Sequence, residues 1–449
     1  MTEIIPFKKT PIGTMDLYDA SYDEIQKIIK YLETLFVNYG GKGLETPMFE
    51  IRENLLSKYG EEAENLLIFN LSDTGSDTQE KYTLRYDLTI PKIRHIISNN
   101  IIKERIYSIG KVFRRDNPSL GRYREFYQAD FDIIGESNES MINEYLMFKM
   151  IKQFMNDLNI IFNSDILASF NYKIYVNFTQ NLHHILINLL NVEPNMFKSI
   201  CSTIDKLDKY SFDDLINEFS KKSLTIEQIT QLKTYLVANN LSEPIDQKTQ
   251  LLWNKLKLLI QNDDQLNNKI IFCPSLARGL DYYNGIIYEV KFIGDVNNSQ
   301  LTFSSSIISG GRYDNLIPNT QLLGLSFGIS RIISIFNKIK QTIEQTKINN
   351  NVNSESTFVW KNLYYLVSIK GVTLNDKIKC WNLLEKHLNQ QIIISDEETD
   401  KKLVKVITYC ITHGIRYLYV LAPDELKNEQ IIFKDLKNQT QTMIDLKTI

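Results

Sequence analysis

Between Asp19 and Tyr39 apolar residues recur at Ile25, Ile28, Ile29, Leu32, Leu35 and Phe36. That three-and-four spacing predicts an amphipathic helix, stopped by Gly40 and Gly41. "GLETPMFE" follows as an extended piece, because Pro47 keeps Thr46 out of the helical region. "RIYSIGKVFR" and "EFYQADFDII" have strand chemistry and flank the turn-rich "RDNPSLG", so they predict an antiparallel hairpin with a longish loop. Residues 137–157 return to helical periodicity.

From about residue 181 to 265 the pattern is one short helix after another, with polar starts such as "YSFDDL" and "SLTIEQI". No glycine interrupts residues 181–262, and the segment reads as an all-helical insertion. Strands resume at "GIIYEVKFI" and "LTFSSSIISGG", and "LLGLSFGISRIISIFNKI" reads as a strand running into a helix. Residues 339–358 are polar and without periodicity, which predicts a linker between a domain spanning 1–338 and another spanning 359–449. In the second, "LYYLVSI", "IIIS" and "YLYVLA" alternate with helical stretches, the pattern of a small α/β domain.

Composition narrows the class. The chain has 449 residues, 43% of them hydrophobic and 23% charged, as in a globular protein with two or three cores. The opening "MTEIIPFKKT" lacks the apolar stretch of a signal peptide, and no run approaches a membrane span. Four scattered cysteines without a CxxC pair suit buried thiols in a reducing compartment, and five dispersed histidines make no metal cluster. The net charge of −3 means that any contact with a polyanion is local.

The arginines are where charge changes the picture. There are twelve, against thirty-nine lysines, and eight of the twelve fall in five short stretches: "TLRYDLTIP", "FRRDNPSLGRYREFYQADFD", "LARGLDYYNG", "SGGRYDNL" and "LSFGISRI". Surface ion pairs would explain them, but lysine serves nearly as well there, at about 0–1 kcal/mol a pair. A guanidinium fork matched to two phosphate oxygens gives a reason for arginine specifically. The glycines of "SGGRYD" fit tight packing as well as a ligand, and no Walker or GxGxxG loop is present. Tyr282 and Tyr283 read equally as core aromatics or as phenol donors in a polar pocket.

In order and spacing these five stretches resemble the histidyl-tRNA synthetases, from about Pro11 to the end of the chain. The resemblance extends through "CSTIDKLDKYSFDDL" and "EETDKKLVKVITYCITHGI". It implies an α+β fold of the class II synthetase kind. An antiparallel sheet is flanked by helices and carries the helical insertion, followed by a C-terminal α/β anticodon-binding domain. The implied reaction joins histidine to ATP, with Mg²⁺, and passes it to tRNA(His). It implies a cytoplasmic homodimer built on the 19–39 helix and the Pro47 strand, with no membrane partner and no protein-held metal.

Residue by residue, the resemblance implies Arg114 on the α-phosphate and the attacking carboxylate, with Arg122 on the outer phosphates and Arg331 against the adenine and γ-phosphate. Arg278 would sit opposite Arg114 and carry the main catalytic charge. Asp87, Thr89 and Gln128 would hold the α-amino group of histidine, and Asp132 and Tyr283 its imidazole, with Tyr282 and Gly310 in the same site. The competing expectations are a non-catalytic relative that senses tRNA or regulates another enzyme, and a ligase for a different small acid. Residues 360–449 carry thirteen Lys+Arg against eleven Asp+Glu, a modest attraction for RNA.

Overall fold

The structure is a computed structural model that describes residues 9–59, 68–71, 81–119, 121–136, 140–162, 170–238, 241–280, 282–296, 299–302, 306–349, 361–398 and 403–449. It divides into two compact units, Met1–Thr346 and Lys347–Ile449.

The first unit is built on a nine-stranded sheet. Its path runs Lys42–Gly43, Glu104–Phe113, Glu125–Ile134, Leu322–Phe327, Ile308–Arg312, Ile286–Val296, Phe170–Phe178 and Ile270–Phe272, with Ser299–Thr302 pairing off Ile286–Val296. The two outermost pairings on this path are parallel and the rest antiparallel. The expected hairpin is present in full register, from Glu104 opposite Ile134 to Phe113 opposite Glu125.

Side chains alternate across this sheet, as the pleat requires. On the central strand Ala129, Phe131 and Ile133 enter the core under helices Ala20–Asn38, Ile142–Phe162, Gln247–Ile260 and Ile329–Asn349. Phe36 meets Phe131 at 5.4 Å and Phe154 meets Phe327 at 4.9 Å between ring centroids. Gln128, Asp130 and Asp132 therefore share the opposite, open face, with Ser326 of the neighbouring strand. A strand with an apolar run on one face and a polar run on the other both anchors the fold and presents chemistry.

The insertion has its own core, around Leu182, Ile200, Leu215, Phe219 and Leu232. Its helices Phe212–Lys221 and Ile226–Lys233 start at capping boxes on Ser211 and Thr225. Its boundary is shorter than the sequence suggested. Trp253, Leu256, Ile260 and Leu266 belong to the main core, so the helices after Gln247 are part of the platform. The expected linker also needs correction. The Ile329–Asn349 helix covers its first eleven residues, and 350–358 lie outside the described residues.

The second unit is a five-stranded sheet in the order Ile393–Glu398, Lys361–Ser368, Ile415–Leu421, Gln430–Asp435, Thr440–Asp445. The first three strands are parallel, and the last two add an antiparallel hairpin that the sequence reading missed. Separate apolar clusters bury its two faces, one including Leu384 and the other Cys410. Among the described residues no helix is long and apolar enough to cross a membrane.

Candidate active site

Four of the arginines converge above the open face of the first unit. Arg114 follows the Glu104–Phe113 strand. Its guanidinium lies 4.4 Å from the Tyr86 ring centre and 5.3 Å from that of Phe126, and its Nε donates to the Tyr86 carbonyl at 3.1 Å. Arg122 closes the hairpin loop and pairs with Asp116 at 2.8 Å. Arg331, in the first turn of its helix, donates to the Gly121 carbonyl at 3.2 Å and to the Ser306 carbonyl at 2.8 Å. Arg278 donates to the Ser306 hydroxyl at 2.7 Å and to Glu289 at 2.5 Å. Ser306 thus fastens Arg278 and Arg331 from its two ends.

The electrostatics show how close the four are. Burial pushes Arg331 down to about 10, and the positive charges of Arg278, Arg114 and Arg122 push in the same direction. Packing like charges together is unfavourable on its own, and a multiply charged anion would relieve it.

Two other motif arginines have a different purpose. Arg85 is buried over Gly110 and donates to the Thr46 and Lys111 carbonyls at 2.9 and 2.7 Å. Arg312, on the helix face, pairs with Glu144 at 2.5 Å with both side chains almost wholly buried. The arginines of these motifs therefore include two kinds, a converging cluster and buried structural forks.

Beside the arginines lies a polar pocket. Asp87 caps the Thr89–Ser98 helix, accepting from the Ile90 backbone N–H at 3.0 Å, and Thr89 is the first residue of that helix. The Gln128 amide donates to the Ser326 hydroxyl at 2.8 Å, while its buried Oε1 has no partner among the described residues. Ser326 donates in turn to Asp130 at 2.6 Å. Burial raises Asp130 to about 6, with Lys92 opposing and Asp132 and Asp87 reinforcing the rise.

Asp132 is held on both oxygens, by the Lys92 ammonium and by the Tyr313 hydroxyl. The rings of Tyr282 and Tyr283 lie 4.2 Å apart. Burial raises the hydroxyls of Tyr283 and Tyr313 well above the usual phenol value, so both keep their protons.

Gly310 requires a correction. It pairs with Tyr288 and Leu325, both in the helix-side core, and a Cβ there would strike the Tyr288 hydroxyl and the Gly324 carbonyl at 2.5 and 2.3 Å. The open-face glycine is its neighbour Gly311, where a Cβ would stand 3.0 Å from the Tyr283 ring. Sequence reasoning also missed Lys92, Ser306, Tyr313, Ser326 and Glu289. Tyr313 stood in "SGGRYD" and Glu289 in "GIIYEV", but a buried partner is not visible in a one-dimensional pattern.

An antiparallel platform with forked arginines over its polar face is the core of a class II aminoacyl-tRNA synthetase. A family model described as histidyl-tRNA synthetase matches residues 13–332. The cytoplasmic histidine–tRNA ligase of Oryza sativa subsp. japonica is 32% identical over 469 residues, which cover 99% of this chain and 54% of that protein. The chain thus spans about half the length of the rice relative. The probable cytoplasmic histidine–tRNA ligase of Vairimorpha ceranae is 31% identical, covering 97% of each chain. A solved histidyl-tRNA synthetase from Nostoc sp. PCC 7120 has the same fold, with a TM-score of 0.66 at 21% identity over 98% of this chain and 97% of that one. The chain belongs to the histidyl-tRNA synthetase family.

Proposed function

We propose that the protein is a histidine–tRNA ligase. In the first step a carboxylate oxygen of histidine attacks the α-phosphorus of ATP, the bond to the bridging oxygen breaks, and pyrophosphate leaves. In the second a ribose hydroxyl at the 3′ end of tRNA(His) attacks the activated carbonyl and AMP leaves. Neither step needs a protein nucleophile; both need the reactants aligned and the migrating negative charge met by fixed positive charge. The observation that carries the reading is the convergence of Arg114, Arg122, Arg278 and Arg331 beside a pocket of carboxylates and phenols.

In this reading Arg114 and Arg278 flank the α-phosphate, Arg122 takes the outer phosphates, and Arg331 holds the nucleotide through its flat face and charge. Asp87, Thr89 and Gln128 receive the α-ammonium of histidine; the free Oε1 of Gln128 is suited to that donor. Asp132 and Tyr283 take the two nitrogens of the imidazole, one accepting and the other donating. Tyr282 supports the Tyr283 ring.

Mg²⁺ would enter with ATP. It typically takes one or two carboxylates plus phosphates, and the candidate is Glu289, whose buried Oε2 has no hydrogen bond among the described residues and faces the Lys291 ammonium at 3.6 Å. Bound there, the ion would neutralise phosphate charge.

A cytoplasmic homodimer completes the proposal. Exposed Tyr18, Tyr22, Val37, Met48 and Phe49 line the N-terminal helix and strand, as a buried interface would require. The test is charging of a tRNA(His) transcript with labelled histidine, set against transcripts of other identities. Charging of tRNA(His) alone supports the assignment, and stable tRNA binding without charging would favour a sensor.

A further inference from the structure

Lys92 is a cation with no exposed surface in the wall of the pocket. Its ammonium pairs with Oδ2 of Asp132, and Tyr313 donates its hydroxyl to Oδ1 of the same carboxylate. The other titratable groups around this pair come from each neighbouring element. Asp87 precedes the helix and Asp130 lies on the same strand. Tyr282 and Tyr283 come from the Arg278 segment and Tyr288 from the next strand. Beyond Tyr288, Glu144 and Arg312 neutralise each other.

A lone buried carboxylate beside an imidazole would favour the imidazolium, because opposite charges attract most strongly away from water. An ammonium paired to that carboxylate cancels most of the field at the ring. We propose that Lys92 is a positioning residue that neutralises Asp132, so that the pocket admits histidine with a neutral ring and discriminates against the imidazolium form. The proposal rests on the assignment of Asp132 and Tyr283 to the imidazole. The neutral ring donates its N–H to a remaining lone pair of Asp132, and its other nitrogen accepts from the Tyr283 hydroxyl.

Histidine-dependent pyrophosphate exchange at pH 6 and pH 8 tests this. With an imidazole pKa of about 6.5, the neutral fraction of free histidine falls roughly fourfold from pH 8 to pH 6, and wild-type kcat/KM falls at least as far. Lys92→Met leaves Asp132 uncompensated, so its kcat/KM relative to wild type rises about fourfold or more on going from pH 8 to pH 6. The charge-balanced Lys92→Met/Asp132→Asn variant returns to the wild-type slope.

Parallel profiles for wild type and Lys92→Met overturn the role of Lys92 while leaving the assignment of Asp132 standing. An Asp132→Asn variant with an unchanged histidine KM overturns that assignment instead. Should Lys92→Met not fold, wild-type calorimetry at pH 6 decides. Histidine should release about three-quarters of a proton more than 1,2,4-triazole-3-alanine, whose ring is not basic there. Equal release from the two ligands overturns the proposal.

Discussion

Arg278 and Glu289 form an ion pair, Nη1 to Oε1 at 2.5 Å, in which the carboxylate is 2% exposed and keeps its second oxygen free of hydrogen bonds among the described residues. Glu289 thus aims the guanidinium, with Asp205 3.7 Å from its Nε, and its second oxygen faces the Lys291 ammonium at 3.6 Å. The Ser306 hydroxyl fixes the same nitrogen from the other side, so Arg278 is oriented before any substrate arrives. A preorganised charge needs no reorganisation at the moment of reaction.

Arg278→Ala should therefore lower the rate of histidine-dependent pyrophosphate exchange by about 10²–10³, and it should lower the melting temperature too, because the buried Glu289 loses its closer cation and keeps Lys291 at 3.6 Å. Arg278→Lys should recover only part of it, because one ammonium cannot face Ser306 and Glu289 with one nitrogen and Asp205 with another, as the guanidinium does. Initial rates at saturating ATP and histidine, beside thermal melts, check both outcomes.

Arg331 is separable from the amino-acid pocket, since its bonds go to Gly121 and Ser306 and its charged neighbours are Arg278, Arg114, Arg122 and Glu289. Arg331→Ala should raise the KM for ATP by about tenfold or more, equivalent to roughly 1.4 kcal/mol, and leave the KM for histidine within about twofold. Steady-state kinetics with each substrate varied in turn measures the split.

Asp130 makes stability depend on pH. Its folded-state value of about 6 lies above the ordinary carboxylate value of 3.8, chiefly through burial. Its contribution is thus complete below about pH 4, where both states are protonated, and is lost as pH rises through about 6. Asp130→Asn removes that loss and should stabilise the first unit by roughly 1–3 kcal/mol at pH 7, with little change at pH 4. Urea unfolding at the two pH values distinguishes them.

The buried Arg312–Glu144 pair gives the opposite kind of outcome, a loss of stability without a direct kinetic effect. Arg312→Met strands a carboxylate inside the core and should cost about 3–5 kcal/mol. Adding Glu144→Gln should return a large part of that. Denaturant unfolding of the single and double variants, with ATP KM measured on whatever remains folded, checks both.

The hairpin was legible because its two strands alternate cleanly and the loop between them is rich in Gly, Pro, Asp and Asn. The clustering of the arginines was legible because the chain otherwise chooses lysine, which singles out arginine by type. Other features depend on tertiary contact. Lys92 occupies a polar-looking position on a short helix, and only its pairing with Asp132, forty residues away, buries it.

Gly310 and Gly311 are exchanged by a register of one, which a glycine pair does not reveal from sequence. The stripe of Trp253, Leu256 and Ile260 predicts a helix but not which of two cores it enters. Residues 339–349 are helical although their polar composition carries no apolar period, and helix-forming Lys, Gln and Glu suffice there.

The most direct test of the central claim is ATP–pyrophosphate exchange by the purified protein with each of the twenty amino acids in turn. The expected result is exchange with histidine and, at equal concentration, none above background with the other nineteen. Exchange with a different amino acid, or none with histidine from a folded protein, would contradict the account.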